Sequence, residues 1–431
     1  MERIGILGRA TEAKEKTEEA ERKETETLTD YESVIDEYAG GGTGGETSIT
    51  DTENTKPASA MPSGATVIEA DPSKGIVIKD SKDNEWVWIE VPKTKVFKSA
   101  TADDQYDNIE ADLIAYAGVY RKGSAKQSCN WTDEWYDYYG TTYDGINEYS
   151  EVKYIGSSYD FNEAKTYYET IYTDNAGTAE ATSYTRGTTY YAKITEKITD
   201  KSVCGLTYDE YQSTYQAMLS SVYTNGGFWI GRYEAGVSDT MPRTEKGEIT
   251  GLEAKSQKDM YPFNFVTCSQ AQTLASAMST DSSKISSLMF GIQWDLVCRF
   301  LDGKDGLTTA DINSDSGAWG NYYDVEVPIT SANAKQSKDY GETWNAITGV
   351  KAADSDIILS TGASSNTCKM NIYDFAGNEW EWTLEKNSDI GSPCASRGGY
   401  YFYDGSNCPA SFRYYDSTSN GDFISFRPSL Y

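Results

Sequence analysis

An α+β fold is expected for residues 66–431 of this 431-residue chain. Three observations point to it: short segments of strand character, helices with readable start and stop signals, and long glycine- and serine-rich loops between them. A tyrosine-rich insertion at about 120–206 is expected to interrupt this domain, and a long N-terminal α-helix to precede it.

The N-terminal helix is expected over residues 1–38. It has no proline, no glycine between Gly8 and Gly40, and oppositely charged pairs at helical spacing, Glu12 with Lys16 and Glu18 with Arg22. Its middle is polar all round, which fits either a solvated helix or the soluble half of a longer one. "GILGRATEAKEKTEEAERKE" resembles the part of a type IV pilin-like helix that follows its membrane-spanning segment. That resemblance implies surface anchoring, with pilus-like filament subunits as partners and membrane contact only through a segment missing from this sequence. Residues 39–65, rich in Gly, Ser, Thr and Pro, read as a flexible linker.

Within the domain, "GIVIKD" and "EWVWIEVP" read as alternating strands joined by the turn residues "SKDN". "NWTDEWYDYYGTTYDGINEYSEVKYIGSSYD" has many tyrosines and few aliphatics, as suits an insertion rather than a core. "LTYDEYQSTYQAMLSSVYTNGG" predicts a helix, with Thr207 and Glu210 as capping box, one face of Tyr211, Tyr215, Leu219 and Val222, and a stop at Asn225-Gly226. "GFWIGRYEAG" predicts a strand. "VTCSQAQTLASAMS" predicts a helix capped by Ser269 and Gln272, and "IQWDLVCRFLDG" an amphipathic helix ended by Gly303.

Composition excludes several functions. A formal net charge of -29, from 67 acidic and 38 basic residues, repels phosphate backbones, so nucleic acid is not an expected partner. Histidine is absent, which removes the common general base and zinc ligand. Seven cysteines (Cys129, Cys204, Cys268, Cys298, Cys368, Cys394, Cys408) form no CxxC pair, and buried reduced thiols are the expectation. There is no long apolar run and no apolar leader, while 34 tyrosines sit in a chain of mean hydropathy -0.61. That texture is common in extracellular, loop-rich binding proteins.

Five stretches stand in a telling order: "GGFWIGRYEAG", "IQWDLVCRFLDG", "NIYDFAGNEWEWT", "SRGGYYF" and "ISFRPSLY". Together they resemble the formylglycine-generating enzyme family, a variant of the C-type lectin fold, through Asp374, Gly377, Asn378, Trp380, Glu381 and Trp382, then Arg397-Gly398-Gly399 and Phe426-Arg427. The resemblance covers residues 66–431 without the insertion. It implies Trp380 and Trp382 as core pillars, Arg397 and Arg427 as framework, and Gly398 and Gly399 as positions of close approach or positive φ. It also implies a structural Ca²⁺ held by the side-chain oxygens of Asn378 and Glu381 with the backbone carbonyls of Glu379 and Thr383; alternatively, Glu381 pairs with Arg397 or Arg427. Oxidase members hold copper on two cysteines. Here Cys408 fills one position and Tyr403 the other, so the linear two-thiolate site Cu(I) favours is incomplete and no catalytic residue is assigned.

The tail "YYFYDGSNCPASFRYYDSTSNGDF" lacks Lys, Glu, Gln, Met and Trp. Every residue type it does contain is reachable from an asparagine codon by changing its two adenines. In this it resembles the variable region, about residues 400–425, of the variable proteins of diversity-generating retroelements. That resemblance implies a surface-displayed protein binding an unknown protein or cell-surface ligand, with no cofactor required. The ligand-contacting set would be Tyr400, Tyr401, Phe402, Tyr403, Ser406, Asn407, Cys408, Phe412, Tyr414, Tyr415, Asp416, Asn420, Asp422 and Phe423. Tyrosine and phenylalanine give large contact area for two torsions, and Asn, Asp and Ser give adaptable hydrogen bonds. The competing expectations are a copper oxidase and a structural pilin-like subunit with a lectin-like tip.

Overall fold

The computed structural model describes residues 48–117, 120, 201, 203–238, 247–279, 281–386, 394–416 and 421–431. The expected N-terminal helix and nearly all of the insertion lie outside these residues. All those described belong to one unit, Thr47–Tyr431, in which helices and several small sheets are mixed, an α+β arrangement.

The main sheet contains β1 (Thr66–Glu69), β2 (Val77–Lys79), β3 (Glu85–Glu90), β4 (Gly227–Gly231) and β5 (Ser286–Leu288). The last strand of the chain, β10 (Pro428–Leu430), runs between β4 and β5, and every pairing is antiparallel. Trp86, Val87, Trp88 and Ile89 of β3 are all buried. The expected alternation therefore gives way to a strand covered on both faces. Part of the cover comes from residues read as linker. Trp88 Nε1 donates to Thr55 Oγ1 (2.8 Å), Trp229 Nε1 donates to Ala60 O (3.1 Å), and the two rings meet edge-on at 5.0 Å. Residues 48–65 are thus fixed against the sheet, a correction to the expected linker.

Three of the four longer helices pack on this sheet, and the first in chain order packs on two of the others. α1 (Tyr106–Ala117) buries Ile109, Leu113 and Ile114. α2 (Tyr208–Asn225) has the expected Thr207–Glu210 capping box and ends at Gly226, φ 65°. α3 (Cys268–Ser276) is capped two residues before the expected position. Thr267 and Gln270 form the box, while the Gln272 side chain is buried and accepts from Leu288 N (2.9 Å). Both Thr267 and Ser269 satisfy the cap spacing, and burial of Cys268, Ala271 and Ala275 selects the earlier one. α4 (Gly291–Leu301) is buried almost all round rather than amphipathic, with Arg299 as its partly exposed residue. No helix among the described residues is long and apolar enough to cross a membrane. Six cysteines, Cys204, Cys268, Cys298, Cys368, Cys394 and Cys408, are free thiols, five of them buried.

The second sheet comprises β6 (Trp380–Lys386), β7 (Cys394–Arg397), β8 (Arg413–Asp416) and β9 (Ile424–Phe426), in the order β8–β7–β6–β9, with β6 and β9 parallel. Arg427 alone separates β9 from β10, so the chain crosses between sheets at one residue. Its guanidinium, 0% exposed, donates to both oxygens of Glu381 on β6, to Gly231 O on β4 (2.9 Å) and to Tyr373 O (2.9 Å). Arg397 on β7 is equally buried; it pairs with Glu385 (2.8 Å) and with Asp295 of α4 (2.7 Å) and donates to Phe412 O (3.2 Å). Trp382 is buried and donates to Val266 O (2.9 Å). The framework roles expected for both arginines and for Trp382 match these contacts.

Removing one member of a buried ion pair strands the other charge without water. Arg427→Met should therefore cost about 3–5 kcal/mol in urea unfolding. The Arg427→Met/Glu381→Leu pair should recover part of that loss, and an additive double loss would show that the pair is not coupled.

Candidate functional site

The tail leaves the second sheet through Gly398 and Gly399, whose φ values of 96° and 79° only glycine adopts readily. A Cβ on Gly399 would stand 2.2 Å from Cys408 O, so the loop 400–408 closes on itself at that point. Backbone hydrogen bonds then fix the loop: Tyr401 N donates to Asn378 O (3.0 Å), Tyr323 N to Tyr403 O (3.1 Å) and Ser316 N to Gly405 O (3.1 Å). Asn378 is the hub beneath it. Its Oδ1 accepts from Asn321 Nδ2 (2.9 Å) and Leu359 N (3.0 Å), and its Nδ2 donates to Glu234 Oε2 (2.8 Å) and Leu359 O (3.2 Å).

On this frame stands a continuous aromatic face. Phe402, Tyr403 and Tyr414 are 42%, 44% and 48% exposed. Tyr400, half-buried, links them, with its ring 6.1 Å from Phe402, 5.2 Å from Tyr403 and 5.7 Å from Phe423. Trp380 is the floor, stacked 5.7 Å from Tyr400 and 6.0 Å from Tyr414. Arg413 points inward to Glu385 Oε1 (2.6 Å) while Tyr414 points outward, the alternation expected of a strand.

The structure divides the tail set. Asn407 is exposed, and Ser406, Asp422 and Phe423 are half-buried. Tyr401, Cys408 and Phe412 are 2%, 1% and 1% exposed, which corrects their placement on the binding surface. The turn at 400–403 sends Tyr401 to the opposite side from Phe402, and Phe412 packs against Trp380 at 5.4 Å. Asn420 and the side chains of Tyr415 and Asp416 lie outside the described residues. One exposed ring was missed: Tyr340, 47% exposed at φ 62°. Its carbonyl and that of Asp422 both accept from Asn264 Nδ2, at 3.4 and 3.0 Å. Tyr340-Gly341 is a turn signal, but nothing in sequence ties it to the tail.

Groups expected to hold Ca²⁺ are engaged elsewhere. Glu381 faces Arg427, the alternative reading; Asn378 Oδ1 has its two N–H donors; the Thr383 carbonyl accepts from Cys268 Sγ (3.7 Å). Among the described residues no group of three or more Asp, Glu or Cys side chains is arranged to hold a metal. Glu379 is 1% exposed, and neither carboxylate oxygen has a hydrogen-bond partner. The nearby Asn264 amide, which also donates to the Tyr340 and Asp422 carbonyls, opposes that burial only in part. Burial, then the charges of Glu234 and Asp422, push the Glu379 carboxyl well above its ordinary range. Burial and then Asp374 and Glu381 do the same to Glu234.

A carboxyl whose pKa is raised on folding holds its proton to higher pH in the folded chain than in the unfolded one. Its contribution is complete below the ordinary value, 4.5, and is lost as pH climbs through the raised value. Glu379→Gln should therefore stabilise the chain at neutral pH by at least about 1 kcal/mol, and the gain should vanish in thermal melts near pH 4. A second test separates floor from face. Tyr401→Ala and Phe412→Ala should each cost about 3–5 kcal/mol, whereas Phe402→Ala, Tyr403→Ala and Tyr414→Ala should stay under about 1 kcal/mol.

No family model and no curated protein matches the chain. Among solved structures it is similar to Treponema denticola variable protein 1, with 15% identity and a TM-score of 0.27, over 47% of this chain and 84% of that one.

Proposed function

We propose that this chain is a ligand-binding protein that presents an exchangeable surface at its C-terminal end. One observation carries the reading: exposed Phe402 and Tyr403 meet edge-on beside Tyr400, and exposed Tyr414 shares the Trp380 ring with Tyr400, on a frame of fully buried Arg397 and Arg427. An exposed aromatic patch of this kind marks an interaction site more often than chance solvent exposure does. The tail's restriction to residue types reachable by adenine changes supports diversification of the kind found in retroelement variable proteins. In this reading the framework is of the C-type lectin type, the partner is an unidentified protein or cell-surface ligand, and the N-terminal helix provides pilin-like display outside the cell.

The face needs no cofactor and performs no reaction in this reading. Cys408, the one residue that could serve an oxidase, is buried, and its partner position is the exposed Tyr403. A two-thiolate copper site is thus incomplete at the level of residues.

The test is a displayed library of the full chain randomised at Phe402, Tyr403, Asn407 and Tyr414, selected on an unrelated protein such as streptavidin. Recovery of specific binders whose melting temperature stays within about 5 °C of the parent is the expected outcome. Failure to recover any binder from folded clones, or collapse of most clones, would reject the proposal.

A further inference from the structure

Negative charge predominates about the aromatic face. Between Gly398 and Phe426 the chain carries Asp404, Asp416 and Asp422 and a single cation, Arg413, which is buried against Glu385. The segment that packs beside this loop, residues 313–328, carries Asp315, Asp324 and Glu326 and no Lys or Arg. The packing is close: a Cβ on Gly405 would stand 2.2 Å from Gly317 N, and Tyr323 N bonds Tyr403 O. Asp315 and Asp324 are exposed and Asp404 is half-buried. Asp404 and Asp315 both repel Asp324, whose carboxyl is raised by burial first and then by these two. Lys351, buried beneath, feels the charge of Asp324 but donates to Tyr322 O and to Val325 O (3.1 Å). Among the described residues Asp315, Asp324, Asp404 and Asp422 form no ion pair. The loop carrying Tyr340 adds Asp339 and Glu342 beside one exposed cation, Lys338.

An acidic rim about exposed rings suits one class of occupant. A lysine or arginine side chain can lay its cation over a Tyr or Phe face while its charge meets a carboxylate at the edge. An acidic segment would meet repulsion at the rim on a protein already at -29 overall, which also steers cations inward over long range. We infer that the face formed by Tyr400, Phe402, Tyr403 and Tyr414 takes a basic protein segment, with lysine or arginine side chains seated between the rings and the carboxylates of Asp324, Asp404 and Asp422. This inference rests on the reading of the face as a binding surface.

The experiment uses the full chain as bait for an unbiased phage library of short random peptides. Each enriched peptide is then titrated against the parent, against Tyr403→Ala/Tyr414→Ala and against Asp324→Asn/Asp404→Asn, with melting curves confirming that the variants fold. The expected peptides are rich in Lys and Arg, lose binding to the double alanine variant, and bind the double asparagine variant roughly fivefold more weakly. Raising salt from about 0.05 to about 0.5 M should weaken them about tenfold or more. Peptides that need the tyrosines but show no basic excess, or ignore the asparagine changes, would overturn the basic-segment inference and leave the binding face standing. Peptides indifferent to the alanine variant, or none at all, would overturn the binding face itself.

Discussion

Two guanidinium groups sealed from water set the terms for the rest of this domain. Arg427 sits at the single residue that joins the two sheets, and its donors reach β4, β6 and the Tyr373 carbonyl at once. Arg397 does the same between β7, α4 and the strand-entry carbonyls of Ser411 and Phe412. A charge this deep costs several kcal/mol to desolvate unless its partners are in place. Small displacements of the sheets would leave Glu381, Glu385 or Asp295 unmatched. The pairs therefore favour one arrangement of the two sheets over others near it in energy, and they fix where the tail emerges.

What emerges is a short segment divided by direction rather than by residue type. Tyrosine and phenylalanine occur on both sides of it. Tyr401 and Phe412 fill space under the loop, while Phe402 and Tyr414 stand in solvent. The difference arises from backbone geometry: the glycine pair at 398–399 turns the chain, Asn378 holds the floor, and main-chain hydrogen bonds to Tyr401, Tyr403 and Gly405 hold the loop without using side chains. A loop tied by its backbone tolerates changes in the outward side chains, because none of them is needed to close it.

Local signals were legible wherever local chemistry decides the outcome. Thr207 with Glu210 and Asn225-Gly226 bound α2 correctly, because capping is an interaction across three or four residues. Thr267 and Ser269 offered the same pattern two residues apart, and only packing against the core chooses between them. β3 read as alternating because nothing in its own residues shows that Thr55 meets Trp88 and that Ala60 lies against Trp229 of the neighbouring strand. Glu381 had two arginines to choose from, and the choice of Arg427 depends on which strand lies parallel to β6. The aromatic tail was visible as composition, but inward and outward rings could not be separated without the turn at 400–403. Tyr340 had no sequence link to the tail at all, since it is tied to Asp422 through Asn264, distant from both in sequence.

Trp380 has a consequence for how such a surface can vary. One indole supports both Tyr400, from the loop, and Tyr414, from β8. Two positions resting on a shared ring do not vary independently: the best residue at one depends on the size and tilt of its neighbour. The number of usable combinations is then smaller than the product of the choices at each site, and successful sequences should show paired preferences at these two positions.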